Sequence, residues 1–188
     1  MSLIMADNQL PEILERQVVA RSRLLRIEAI DLRFSNGVER QYERMSGSGR
    51  GAVMVVPFID AKRFILVREY AAGLHSYQLG FPKGLIDPGE SAEQAAQREL
   101  REEVGYGAGE LRKLHTVTMA PQFFSAHMTL FVGHQLFAEK LPGDEPEPLE
   151  QVIWSLDDVD ELLRQPDFTE ARSIAALLLM MRSNSQGG

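Results

Sequence analysis

The sequence predicts a mixed α/β sandwich, a sheet with helices on its faces, preceded by a small antiparallel β unit. Three observations carry this. Runs of alternating apolar and charged residues flank an Asn-Gly pair near the start of the chain. A single amphipathic helical stretch lies between two sets of strand-like runs, and two further helical stretches close the chain.

Composition bounds the function before any motif is considered. A chain of 188 residues holds one domain, or one domain and a small appendage. With 44% apolar and 25% charged residues it can bury a core. The formal charge of −7 argues against a nucleic-acid partner, which needs a basic surface to replace phosphate counterions. There is no cysteine, so disulfides, thiolate catalysis and cysteine zinc sites are excluded. No apolar run approaches the roughly 20 residues that span a membrane, and the first residues lack the basic start of a signal peptide. The expectation is a cytoplasmic protein with no membrane partner.

Residues 1–15 read as a loose lead-in. From Val18 to Met45 the pattern suits strands: Ile30, Leu32 and Phe34 alternate with Asp31 and Arg33, and Ser35-Asn36-Gly37 supplies a hairpin turn. Glycines and serines at 46–51 break the pattern, giving an N-terminal β unit over 1–48 and a main domain over 49–182. The main domain opens with apolar strands Ala52–Ile59 and Phe64–Glu69, followed by a Gly- and Pro-rich loop from Gly73 to Gly89. A helix is expected over Ala92–Val104, entered by Ser91 with Gln94 three residues on, a capping-box pattern. Strands at Arg112–Met119 and His127–Gln135 follow, then the acidic loop Leu141–Glu150 and a short strand at Val152–Trp154. Helices near Leu156–Arg164 and Thr169–Met181 close the fold, and 183–188 reads as a frayed, flexible tail.

The central helix carries the chemistry. At about 100° per residue, Ala92, Ala96, Leu100 and Val104 form the core-facing stripe. Glu103 falls inside that stripe and Glu99 at its edge, with Glu102 flanking them. Such an Arg-Glu-rich run is ordinarily a solvated face, but these carboxylates point where burial is expected. A buried, unpartnered carboxylate costs several kcal/mol or takes up a proton. A divalent cation keeps several of them ionised side by side, and an all-oxygen donor set selects Mg²⁺ or Mn²⁺ over zinc. The four histidines show no ligand spacing and read as packing or surface residues.

Gly84, five residues, Glu90, seven residues, then Arg98-Glu99-Leu100-Arg101-Glu102-Glu103-Val104-Gly105-Tyr106 resembles the box motif of the Nudix hydrolase family at every fixed position. Only the final aliphatic position departs, with Tyr106. Average residue frequencies make a chance match on the order of 10⁻⁵ or less. The resemblance implies an α/β/α sandwich around a mixed sheet, the motif forming loop, helix and loop, and hydrolysis of a nucleoside diphosphate linked to another moiety. It implies Glu99, Glu102, Glu103 and the Lys83 carbonyl as Mg²⁺ ligands, with Glu102 and Glu103 taking part in catalysis. Gly84, Glu90, Arg98 and Gly105 would be structural. An acidic protein would then bind an anionic small-molecule substrate through bound cations.

Pro121, fifteen residues after Tyr106, resembles the ADP-ribose pyrophosphatase branch, as do Leu66–Tyr70 and Leu79–Asp87. Segments such as Arg21-Ser22-Arg23-Leu24 and Gly143–Leu149 are similar to a bacterial type of that branch that hydrolyses ADP compounds. Ala71 stands where many of these enzymes have a basic residue, which points to a broader range than ADP-ribose: diadenosine polyphosphates and NADH. The branch places a catalytic glutamate on a late loop, making Glu145 and Glu147 candidates. Arg50, Arg68, Pro121 and Phe123 are candidate substrate contacts. The resemblance further implies a homodimer, paired through the N-terminal unit. Two other readings compete: a Nudix domain that senses ADP-ribose without cleaving it, and an RNA pyrophosphohydrolase, which the negative charge disfavours.

Overall fold

The computed structural model describes residues 9–47 and 49–184. They fall into two compact units. The first runs up to Gly49 and takes in Met119–Ala126; the second comprises Arg50–Thr118 and the chain from His127 onward.

The first unit is an antiparallel sheet of β1 (Glu12–Arg21), β2 (Arg26–Arg33) and β3 (Glu39–Ser46), in that order. The expected lead-in over 1–15 is corrected here: β1 begins at Glu12, and residues 1–8 lie outside those described. The polar alternation of Glu12–Arg16 hid a strand exposed along its whole length. The Asn-Gly turn is present, but only Gly37 has positive φ (82°). Gly37 N–H donates to Phe34 O (2.9 Å) and Phe34 N–H to Val38 O (2.9 Å), so the loop is a three-residue connection and not a two-residue one. Met119–Ala126 joins this unit through Met45, whose N–H donates to Phe123 O (2.6 Å) and whose carbonyl accepts from Ser125 N–H (3.1 Å).

Among its described residues the second unit has two sheets and three α-helices. β4 (Ala52–Pro57) is parallel to β9 (His127–Ala138) in a four-stranded sheet ordered β7-β4-β9-β8, with β7 at Lys83–Leu85 and β8 at Tyr106–Thr118. A three-stranded antiparallel sheet is ordered β10-β5-β6, from β5 (Arg63–Ala71), β6 (Ser76–Gly80) and β10 (Glu150–Ser155). β6 and β7 lie inside the stretch expected to be loop. Their glycines and Pro82 conceal short ladders, Val67↔Gly80 to Ala71↔Ser76 and Ala52↔Leu85 to Met54↔Lys83. β8 likewise begins at Tyr106 and not at Arg112.

β4 is buried on both faces, which gives the sandwich its layers. Met54 and Val56 face Leu177 and Met180 of α3 (Ala171–Asn184) and Leu162 of α2 (Val159–Leu162). Val53 and Val55 share the other core with Ala95 and Ala96 of α1 (Ala92–Glu99) and with Leu100. A 3₁₀ turn, Leu156–Asp158, precedes α2 and shortens the expected helix. The Glu170 carboxylate accepts from the N–H groups of Arg172 (3.1 Å) and Ser173 (2.8 Å) at the start of α3. The last helix takes in Ser183 and Asn184 of the expected tail, while 185–188 lie outside the described residues.

Candidate active site

β7 pins the motif loop against the sheet. Val55 N–H donates to Pro82 O (3.0 Å) and Ile86 N–H to Gly51 O (3.2 Å). On the opposite side, the fully buried Ser173 Oγ accepts from Phe81 N–H (3.3 Å). A Cβ on Gly84 would overlap the Glu99 carboxylate, so glycine there lets helix and loop meet. Ser91 and Gln94 form the expected capping box, 2.8 Å and 3.2 Å.

The helix does not remain α. Beyond Glu99 it widens into a π turn, Leu100–Val104, closed by Gly105 N–H to Leu100 O with Gly105 at φ 75°. Widened turns of this kind recur at functional sites. Here the turn carries Glu102 and Glu103 and leaves Glu99 and Glu103 each 7% exposed.

Arg98 organises the polar side of the helix. Its guanidinium grips Glu90 at 2.9 Å and 3.1 Å, donates to Leu85 O (2.8 Å), and reaches Glu99 (2.7 Å) and Glu102 (2.9 Å). These bonds raise the Arg98 pKa, Glu90 contributing most, and the Arg98 bond holds Glu90 below the ordinary carboxylate range. Burial pushes Glu99 up to about 6; the negative charges of Glu102 and Glu145 add to this and Arg98 opposes it. Burial pushes Glu103 up to about 9, against the Lys83 ammonium, with Glu99 and Glu69 adding to the rise. Glu103 accepts from Lys83 N–H (3.2 Å), and the Lys83 ammonium is paired with Glu69.

These groups line a cleft of about 600 Å³: Glu69, Lys83, Gly84, Arg98, Glu99, Glu102 and Glu103, closed on one side by residues 142–146 of the late loop. Glu145 lies in this cleft. Glu147 lies in adjoining recesses instead, where it accepts from the Tyr77 hydroxyl. Arg68 also lines a recess, of about 390 Å³, and is paired with Asp167 and with Glu150 (2.9 Å). Arg50 donates to Ile86 O (2.9 Å), bracing the motif loop. Pro121 and Phe123 belong to the first unit, Phe123 half exposed. Glu69 and the Lys83 side chain escaped the sequence reading. Period-two alternation along β5 would have found Glu69, since Ile65 and Val67 of the same strand face α1.

Among the described residues no three histidine or carboxylate groups converge as a bound metal ion requires. The side-chain positions explain this, because Arg98 draws both Glu99 and Glu102 to itself. The donor chemistry nevertheless fits a hard divalent cation. The carboxylates are oxygen-only, two are buried, and among the described residues Glu103 forms no ion pair that would neutralise it. Among the described residues no helix is long and apolar enough to cross a membrane.

An α/β/α sandwich whose loop–helix–loop gathers three glutamates around a buttressing arginine is the architecture of the Nudix hydrolases. The chain belongs to this family: residues 49–178 match the NUDIX domain, and residues 11–44 match the NudE-type Nudix hydrolase N-terminal domain. It is 56% identical over 172 residues to the ADP compounds hydrolase NudE of Escherichia coli (strain K12), covering 92% of each chain. It is 28% identical over 171 residues to the ADP-ribose pyrophosphatase of Bacillus subtilis (strain 168), covering 87% of this chain and 91% of the relative. A crystal structure of an ADP compounds hydrolase superposes with a TM-score of 0.90 at 54% identity, covering 97% of this chain and 98% of the other. The protein is therefore an enzyme, a Nudix hydrolase, of a family that generally needs divalent metal ions.

Proposed function

We propose that this enzyme is a Mg²⁺-dependent pyrophosphatase that splits the diphosphate of ADP-X compounds into AMP and phosphorylated X, with Mn²⁺ as a substitute metal. The substrates are ADP-ribose, diadenosine polyphosphates such as diadenosine triphosphate, and NADH. The observation that carries this reading is the pair of buried glutamates, Glu99 and Glu103, side by side in a cleft. The named activities of the two relatives support the ADP-X class. The domain division at 48/49, the homodimer and the cytoplasmic location are parts of the same proposal.

Glu99, Glu102, Glu103 and the Lys83 carbonyl would hold the metal, which supplies charge neutralisation for the diphosphate and activation of water. Arg98 orients Glu99 and Glu102 while Glu90 fixes Arg98 in turn. The Lys83 ammonium, ion-paired with Glu69 on the wall of the cleft, would turn to the diphosphate only by giving up part of that pair. Glu145, which lines the cleft, would act as the general base for the attacking water; Glu147, tied to Tyr77, is the second choice. Arg68, Arg50, Pro121 and Phe123 stay the proposed substrate contacts.

A product assay tests this. The protein is incubated with Mg²⁺ and ADP-ribose, diadenosine triphosphate or NADH, and AMP is resolved chromatographically. AMP from several substrates is expected. Tight ADP-ribose binding with no AMP from any would instead establish a sensor.

A further inference from the structure

The run Arg21-Ser22-Arg23-Leu24-Leu25-Arg26 puts three guanidinium groups within six residues of a chain whose formal charge is −7. It forms the turn between β1 and β2, closed by Ser22 N–H to Leu25 O (2.8 Å) and Leu25 N–H to Ser22 Oγ (3.0 Å). The ladder sets Arg21 opposite Arg26, and Arg26 opposite Ser46. Directly opposed residues project to the same face, so two guanidinium groups and a hydroxyl form one row. Like charges in that arrangement destabilise an antiparallel pair. Arg26 donates to Gly47 O at 3.5 Å, and among the described residues the ion pairs of this unit use Arg33 and Arg44.

Ser46 is 8% exposed, and its buried hydroxyl has no hydrogen-bond partner among the described residues. Glu28 is the acidic neighbour on this face. It is bound to Arg44 at 2.9 Å, and its pKa is lowered mainly by Arg44, with smaller contributions from Ser46 and Arg26. Ser46 nevertheless closes no hydrogen bond of proper geometry with it. Arg21, Arg23, Arg26 and Ser46 line one recess of about 320 Å³.

We propose that this recess binds a phosphate dianion through residues that take no part in the carboxylate cleft. Planar guanidinium forks match phosphate oxygens, and a dianion turns the Arg21–Arg26 opposition from repulsive to bridged. Ser46 gains the hydrogen bond it lacks. A single carboxylate has too few lone pairs to use so many donors, and the acidity of the rest of the chain excludes a polyanion.

Calorimetry on the full-length protein in EDTA tests the site, since no divalent cation can then bridge an anion to the glutamates. The probes are inorganic phosphate, AMP and adenosine. Phosphate and AMP are expected to bind and adenosine not to; tighter binding of AMP assigns a phosphate ester, and equal binding the free anion. Arg21→Gln/Arg26→Gln should weaken phosphate binding about tenfold or more. Arg23→Gln, in the turn and outside the ladder, and Ser46→Ala should weaken it less while the circular dichroism stays unchanged. If the double variant fails to fold, Arg23→Gln and Ser46→Ala decide. Unchanged affinity in the folded variants overturns the proposal. So does a loss of phosphate binding in Lys83→Met alone, which would place the anion in the cleft. A change in sedimentation without a change in phosphate affinity would also overturn it, assigning the arginines to a second copy of the chain.

Discussion

Glu103 connects the chemistry of the cleft to the stability of the protein. Unfolded, its carboxyl ionises near 4.5; folded without metal, it holds its proton up to about 9. Below pH 4.5 both states are protonated and the group takes nothing from stability. As pH rises toward 9 the unfolded chain releases the proton and the folded chain does not, so stability is lost across that window. Glu99, at about 6, acts in the same direction over a narrower range. The metal-free protein should therefore melt several degrees lower at about pH 9 than at about pH 5, and Glu103→Gln should lose most of that slope. Differential scanning fluorimetry with a chelator checks this, and an equal slope in both proteins would refute it. In the metal-loaded enzyme the same substitution should lower turnover at least about a hundredfold with the fold intact.

At the scale of elements, the motif helix depends on what sits beneath it and behind it. A side chain at Gly84 must displace Glu99, so Gly84→Ala should cost about 1–3 kcal/mol and remove most activity, read by denaturant melts and by AMP release. Ser173 holds Phe81 N–H from the far side of the sheet. Ser173→Ala leaves that buried donor unsatisfied, an expected loss of about 1–3 kcal/mol, whereas Ser173→Thr keeps the hydroxyl. Much of this region was legible in the sequence: the capping box, the arginine–glutamate run and the apolar stripe specify the helix and its buried face. β6 and β7 were not legible, because ladders of three to five residues need no periodicity when both strands are framed by an already buried neighbour. The π turn was equally hidden, since nothing in Leu-Arg-Glu-Glu-Val distinguishes one hydrogen-bond offset from another.

For the molecule as a whole, the first unit bears the clearest exposed apolar strand. Along β1, Ile13, Leu14, Val18 and Val19 are each between 39% and 47% exposed. A second copy covering this strand would account for that exposure. Sedimentation equilibrium should return twice the chain mass, and Val18→Asp/Val19→Asp should shift it to the monomer; a monomeric wild type would refute the homodimer. The charge balance also acts at this scale. The ionised cleft carboxylates repel an incoming diphosphate, so KM should rise steeply as free Mg²⁺ falls and level off once the cation saturates.

The widened turn at Leu100–Val104 fits one more residue between Glu99 and Gly105 than an ordinary helical coil would need. Removing a single codon, that of Arg101, would let the coil close regularly, at the cost of the Arg101–Glu139 ion pair (2.8 Å) and of the carbonyl that accepts from Leu141 N–H (3.1 Å). It would also turn Glu102, Glu103 and the buried Val104 about 100° relative to Glu99. The expected result is loss of AMP release together with a lower melting temperature, because Val104 leaves the core as the glutamates leave the cleft.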